Sequence, residues 1–381
     1  MSKLLSERLT SIVPLATPRH FTEMPLIAGS GQPRVILGTM TFGPDASGGA
    51  RVTDLDTYKK VLDHFQSKGY NEIDTARVYV NGKQEAWTRD AAYKERGLTC
   101  ATKWYPHEDH AHSAEKIEEI LNQSLKELDT QCVDIFYLHA PDRTLPFTTP
   151  LKKLDELHKQ GKFVQLGLSN FTAAEVAEVV THCKYSNWVR PTIYQGMYNA
   201  IQRSIEPELV ATCRRFGIDI VVYNPIAGGI FSGKYKSNEV PKEGRYSDSM
   251  SYGKMYRKRY FQDATFDALA MIEPVVQKHN LTLLETAFRW IIHHSALKIK
   301  DGNDGIIIGV SSQEQLESNL KDIEKGPLPE EVLNVLDEAW LVTKPTAAHY
   351  WHKELKYTYE DPGFTKKIEE DLAALSGVSR K

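Results

Sequence analysis

The stretch 133–168 decides the fold: Val-Asp-Ile-Phe-Tyr-Leu at 133–138 and Phe-Val-Gln-Leu-Gly-Leu at 163–168 flank a segment with helical periodicity. Two short apolar runs joined through a helix describe a βαβ unit whose strands run parallel. Outward from it the same unit recurs. Residues 35–38, 71–74, 99–102, 191–195, 219–223 and 305–308 also read as strands, each followed by a helical segment. With the first two runs they make eight strand-helix repeats, which predicts an α/β chain closed into a (β/α)8 TIM barrel. One helix is explicit at 113–128, where Ile117, Ile120, Leu121, Leu125 and Leu128 follow Ser113 and Glu115. Another is predicted over 329–341. With no second domain or long-period repeat in view, residues 1–30 read as an N-terminal extension, 31–345 as the barrel and 346–381 as a polar C-terminal tail.

Composition narrows the ligand. The 381 residues are 41% hydrophobic and 25% charged, and 47 basic against 50 acidic residues leave a net charge of -3. Neither sign is concentrated, so nucleic acid is not expected as a partner, and no apolar run is long enough to predict a membrane span. Cys100, Cys132, Cys183 and Cys213 lack the spacing of a zinc site, so no metal is expected. The N-terminus lacks a secretory pattern, and the expected location is cytoplasmic. A small molecule is the expected partner.

Barrel enzymes work at the C-terminal ends of their strands. Asp74, Lys103 and His139 fall at the ends of the second, third and fourth predicted strands, and Tyr79 lies in the loop after Asp74. Singly, each has an ordinary structural use as a cap, a surface group or a core histidine. Jointly they suit carbonyl reduction. A phenol can give a proton to the oxygen that gains charge as hydride arrives, if a nearby ammonium lowers its pKa. Asp74 would orient Lys103, and His139 would hydrogen-bond the carbonyl oxygen. The long connection 224–263, rich in Gly, Lys, Tyr and Ser, is expected to cover a ligand.

These residues lie in a series of phrases: DTARVY at 74–79, TKW at 102–104, DIFYLHAPD at 134–142, LGLSN at 166–170, YQGMYN at 194–199, YNPIAGGIFSGKY at 223–235, GRY at 244–246 and GVSSQEQLESN at 309–319. Over 35–351 the chain resembles the aldo-keto reductase superfamily, and YNPIAGGIFSGKY with MYRKRY looks most like its aflatoxin-aldehyde reductase branch. The resemblance implies reduction of an aldehyde or ketone by NADPH, with Tyr79 as general acid, Lys103 and Asp74 supporting it and His139 orienting the substrate. It implies that Ser169, Asn170 and Gln195 grip the nicotinamide carboxamide and that Tyr223 stacks on the ring. By the same likeness Asn224, Pro225, Ile226, Gly228, Gly229, Ser232, Gly233 and Lys234 wrap the pyrophosphate. Lys234 and Arg245 are the cationic candidates for the 2′-phosphate, and Gly309, Gln315 and Asn319 match adenosine positions. Gly309 and Gln315 stand where other branches carry Lys and Arg, which leaves NADH use open.

Met40, Trp104, Tyr105, Met197, Tyr198 and Tyr350 are the expected substrate-pocket walls. In the branch it resembles, an Arg that pairs with substrate carboxylates ends the chain. Here His352 takes that place and the chain continues, which points to a neutral aromatic or polyketide-like aldehyde. Barrels of this family also serve as potassium-channel regulatory subunits with little turnover, and members of the branch form dimers. A lyase or isomerase using Lys103 as a Schiff base is the alternative that needs no nicotinamide.

Overall fold

Side-chain parity along the strands sorts the barrel into an inside and an outside. In the computed structural model, which describes residues 31–250, 252–300 and 302–359, β1 (Arg34–Gly38), β2 (Glu72–Asp74), β3 (Thr99–Trp104), β4 (Val133–Leu138), β5 (Phe163–Ser169), β6 (Ile193–Met197), β7 (Asp219–Tyr223) and β8 (Gly305–Ile308) are all parallel. They close in sequence order, with β8 pairing back onto β1. Alternate residues face alternate sides of a strand. Ile36, Ala101, Ile135, Tyr137, Ile193, Val221 and Ile307 accordingly meet as one apolar cluster inside the barrel. Residues of the opposite parity pack outward against the helices in a second, larger cluster.

The helices are α1 (Leu55–Ser67), α2 (Gln84–Asp90), α3 (Ala114–Glu127), α4 (Thr148–Lys159), α5 (Ala173–Ser186), α6 (Leu209–Phe216), α7 (Gly253–Tyr260), α8 (Asp263–Lys278), α9 (Leu283–His293), α10 (Gln313–Ile323) and α11 (Glu330–Thr343). The one read as 113–128 begins where Ser113 Oγ accepts from the Lys116 amide at 3.3 Å, and its buried face is Ile117, Ile120, Leu121 and Leu125. The long connection after β7 is more ordered than its composition suggested. It contains α7, whose Tyr256 and Tyr260 are buried and anchor the helix despite the run of three basic residues between them.

Two fixed points stiffen the interior. At the N-terminal end of the barrel Arg34 forms a bidentate ion pair with Glu72, at 2.9 and 2.7 Å, and both residues are essentially inaccessible to water. In mid-barrel the Tyr137 ring lies where a Cβ on Gly167 would be, so glycine is required by close approach. Residues 1–30 and those from 360 onward lie outside the described residues.

Removing one partner of a buried ion pair leaves an uncompensated charge, whereas replacing both by apolar groups is often nearly neutral. Arg34→Met is expected to lose about 3–5 kcal/mol in urea unfolding. Arg34→Met combined with Glu72→Leu should recover most of it.

Candidate active site

The inward parity that fills the barrel also delivers reactive groups to its C-terminal mouth. Asp74 ends β2, Lys103 is the last inward residue of β3, and His139 continues the parity of Ile135 and Tyr137 beyond β4. Lys103 is wholly buried, and its ammonium donates to Asp74 Oδ1 and to the Thr75 carbonyl at 2.6 Å. The other carboxylate oxygen accepts from Gln195 Nε2 at 2.8 Å. Tyr79 opens a tight turn in which Val80, Asn81 and Gly82 are left-handed, with φ of 50°, 54° and 80°. For β-branched Val80 that conformation is strained. The turn is held by burial of Val80 and by Arg77, which donates to the Gly82 carbonyl and pairs with buried Glu85.

This geometry brings the four predicted residues together. Lys103 Nζ lies 5.1 Å from the centre of the Tyr79 ring, and the Tyr79 and His139 rings are 6.1 Å apart, edge to face. Burial first and the Asp74 carboxylate second hold the Tyr79 phenol well above its ordinary range in the resting site. Asp74 sits on the Lys103 ammonium and offsets its charge. The phenol stays protonated, the state a proton donor needs. Burial also lowers Lys103, against the opposing pull of Asp74. With its amino group bonded to Asp74 and the Thr75 carbonyl and absent from the cavity lining, Lys103 is not presented to the cavity as a Schiff-base nucleophile would be. Burial and then Lys103 keep His139 well below the usual imidazole range, so it is neutral, with Nδ1 buried and unpartnered among the described residues.

Above this floor opens a cavity of 1970 Å³, larger than the roughly 300–1000 Å³ of a typical small-ligand pocket. Asn170, Gln195 and Tyr223 line its centre, and Asn224, Pro225, Ile226, Gly228, Gly229, Ser232, Gly233 and Lys234 form one wall. Arg245 joins that wall, and Gly309, Gln315 and Asn319 lie along the remainder. Ser169 does not reach the cavity. It is buried beneath Asn170, whose Nδ2 donates to Ser169 Oγ at 3.0 Å and to the His139 carbonyl at 2.8 Å, while Tyr223 donates to Asn170 Oδ1 at 2.7 Å. The glycine wall fits an extended polyanionic ligand, because Gly229 has a φ of 102° and no atom stands within 4 Å of where its Cβ would be. The charges fit too. Four of the five lining carboxylates, Asp74, Glu273, Glu285 and Asp322, have cationic partners and Glu354 has none among the described residues, whereas Arg51, Lys234, Arg245 and Arg259 have no carboxylate partner among the described residues. A dinucleotide would therefore find its phosphates matched by unpaired cations.

The predicted substrate walls divide into residues that line the cavity and residues that do not. Met40 and Tyr105 line the cavity. Trp104 and Tyr198 have the outward parity and point away: Trp104 Nε1 donates to the Ala111 carbonyl at 2.9 Å, and Tyr198 is buried against Trp290 with rings 5.4 Å apart. Met197 and Tyr350 are likewise buried off the main cavity, the latter donating to Glu208 at 2.5 Å.

The wall on that side is formed by His352, which the sequence placed at the substrate-binding position, and by Arg259 of α7, which sequence reasoning missed. Arg259 Nη2 donates to His352 Nε2 at 2.8 Å, and the His352 ring stands 5.9 Å from Tyr105. Burial, then Arg259 and Arg143, push the His352 imidazole down to about 3. The segment carrying it is tied down by Arg143, which pairs with buried Glu175 at 2.6 Å and donates to the carbonyls of His352 and Glu354 at 2.8 and 3.1 Å. The signal existed in MYRKRY and in the basic residue of APDR, but neither shows from sequence alone which arginine turns inward.

With the geometry in place, comparison with known proteins decides the family. The Aldo/keto reductase family model matches residues 34–341. The chain belongs to that family. It is 41% identical over 297 residues to an aldo-keto reductase of Pseudocercospora fijiensis, covering 76% of this chain and 100% of the relative. Aldo-keto reductase pigE of Monascus ruber is 36% identical, with 87% and 98% covered, and aflatoxin B1 aldehyde reductase member 2 of Mus musculus is 37% identical, with 88% and 90% covered. Membership makes the chain an oxidoreductase of carbonyl compounds. Among the described residues no helix is long and apolar enough to cross a membrane, and no cluster of three His, Cys, Asp or Glu side chains could hold a metal.

His139 and His352 should stay neutral through the range where a free imidazole titrates. Their Cε1–H signals in NMR spectra are expected to remain unshifted between about pH 5 and 8. A midpoint near 6.5 for either ring would contradict the burial that keeps it uncharged.

Proposed function

We propose that this protein reduces aldehydes or ketones to alcohols with NADPH, using Tyr79 as proton donor. The observation that carries the reading is the buried Asp74–Lys103 pair under Tyr79 and His139 on the floor of a cavity with unpaired cations. NADPH, when bound, supplies the hydride. Asn170, Gln195 and Tyr223 would hold the nicotinamide end, and the glycine wall with Lys234 and Arg245 would hold the phosphates.

The protein's own part is proton delivery and alignment. A carbonyl oxygen lying between the Tyr79 hydroxyl and the His139 ring would accept a hydrogen bond from each, fixing which face of the carbonyl is open. As negative charge grows on that oxygen, the phenol proton moves to it. The buried Lys103 ammonium then faces a forming phenolate and stabilises it, so a cation balanced by Asp74 in the resting site gains a second anionic neighbour only as reaction proceeds. Neutral His139 neither competes for the proton nor adds charge.

Arg259 changes the substrate expected from the sequence. A guanidinium steadied by His352 and free of carboxylates suits a carbonyl compound with an acidic group beyond its reacting carbon, in place of the neutral aldehyde inferred from the lost terminal arginine. Relatives named for aflatoxin B1 aldehyde reduction support the reaction type.

Tyr79→Phe should lower kcat for 4-nitrobenzaldehyde by about 10²–10⁴-fold, measured by NADPH absorbance, while fluorescence titration shows cofactor binding retained. Retained turnover would remove Tyr79 from the mechanism. Arg259→Gln should raise KM for a carboxyl-bearing aldehyde such as succinic semialdehyde by roughly 10–100-fold, the worth of a charged hydrogen bond, and change KM for 4-nitrobenzaldehyde far less. Equal effects on both substrates would assign Arg259 a structural role.

A further inference from the structure

The phrase that carries His139 ends at Asp142, one residue short of a buried arginine that the mechanism does not use. Arg143 and its partner Glu175 are both buried and absent from the cavity lining, so neither meets a ligand there. The guanidinium is divided between two tasks. One edge pairs with Glu175, Nε with Oε1 and Nη2 with Oε2 at 3.1 Å, while Nη1 donates to the carbonyls of His352 and Glu354. The chain then returns to the same pair: the Tyr357 hydroxyl donates to Glu175 Oε1 at 3.0 Å, and the Thr358 amide donates to the Arg143 carbonyl at 3.1 Å. Both members of the pair are anchored. Glu175 Oε2 accepts from the Thr172 amide at 2.7 Å in the capping box of α5, and the Asp142 carboxylate beside Arg143 accepts from the amides of His112 and Thr144 at 3.0 and 3.1 Å.

This wrapping sets the direction of His352. Its amide donates to the Asn170 carbonyl at 3.1 Å and its carbonyl accepts from Arg143, so the loops after β5 and β4 each hold one polar group of its backbone. Lys353 has a φ of 62°, a left-handed conformation that a lysine keeps only where its surroundings impose it. The two carbonyls on Arg143 belong to the residues on either side of Lys353, and the guanidinium thereby closes that turn. An imidazole fixed in this way accepts from Arg259 Nη2 at 2.8 Å, and Arg259 lines the cavity.

We propose that Arg143 is a positioning residue for recognition of the substrate's acidic group, acting through His352 on Arg259 without touching the substrate. The role rests on the reading of Arg259 as the group that receives the acid. An arginine suits it because one planar fork spans a carboxylate and two carbonyls at once, which the point charge of a lysine does not.

The test is a double-mutant cycle of Arg143→Gln and Arg259→Gln, with KM and kcat measured for succinic semialdehyde and for 4-nitrobenzaldehyde. Arg143→Gln is expected to raise KM for the acid by about threefold to tenfold, to change kcat for either substrate and KM for 4-nitrobenzaldehyde by less than about twofold, and to add little to Arg259→Gln. Because Arg143→Gln leaves a buried carboxylate without its partner, Arg143→Gln combined with Glu175→Gln is measured beside it, and the same pattern is expected from both. Equal losses on the two substrates would overturn the proposal, as would effects that simply add to those of Arg259→Gln. If Arg259→Gln raises KM for the acid and the Arg143 variants do not, Arg259 keeps its role and Arg143 has none. If Arg259→Gln moves neither substrate, the acid reading fails and the positioning role fails with it.

Discussion

A fully buried ammonium is costly, and the arrangement of this barrel mouth follows from how Lys103 is kept there. Asp74 and the Thr75 carbonyl come from adjoining positions on one strand, and Gln195 from the far side of the barrel holds the carboxylate in place. An ion pair of this kind contributes little net stability. Its value is positional: it stores a positive charge beneath a phenol, in a place where water cannot screen it. Asp74 balances that charge at rest, and burial together with the Asp74 carboxylate keeps the phenol protonated.

Much of this was legible in the sequence because period-two alternation in a parallel barrel determines both the core and the mouth. The eight predicted strands all form, and Asp74, His139, Gln195 and Tyr223, inward residues at or just beyond strand ends, line the cavity. The same rule, had it been applied to the pocket walls, would have excluded Trp104 and Tyr198, whose aromatic character suggested a ligand surface when their register assigned them to the outer layer. Ser169 shows where parity stops being sufficient, since it points inward and is still covered by Asn170. Arg259 was illegible for a different reason. Its orientation depends on α7 forming within a connection whose composition suggested a loop, and on a histidine nearly a hundred residues away in sequence.

The distribution of charge separates two kinds of basic residue that composition alone merges. Outside the cavity most lysines and arginines meet carboxylates on neighbouring helices, such as Lys278 with Glu331, and these pairs have modest structural value. Inside it, several cations have no carboxylate partner among the described residues while most of the carboxylates are paired. A net charge near zero thus conceals a cavity lining with an excess of basic over acidic residues.

The His352 segment is held by Arg143 and Glu175, two residues of the barrel's own loops and helices, yet the segment itself follows the last helix and pairs with no strand. A wall built this way is free of the register that couples every strand to its neighbours. Changes in its length or composition alter what the cavity admits without disturbing the eight-stranded scaffold. Asp74, Lys103 and His139 thus stand on the strand register, while this wall of the cavity stands on a segment outside it.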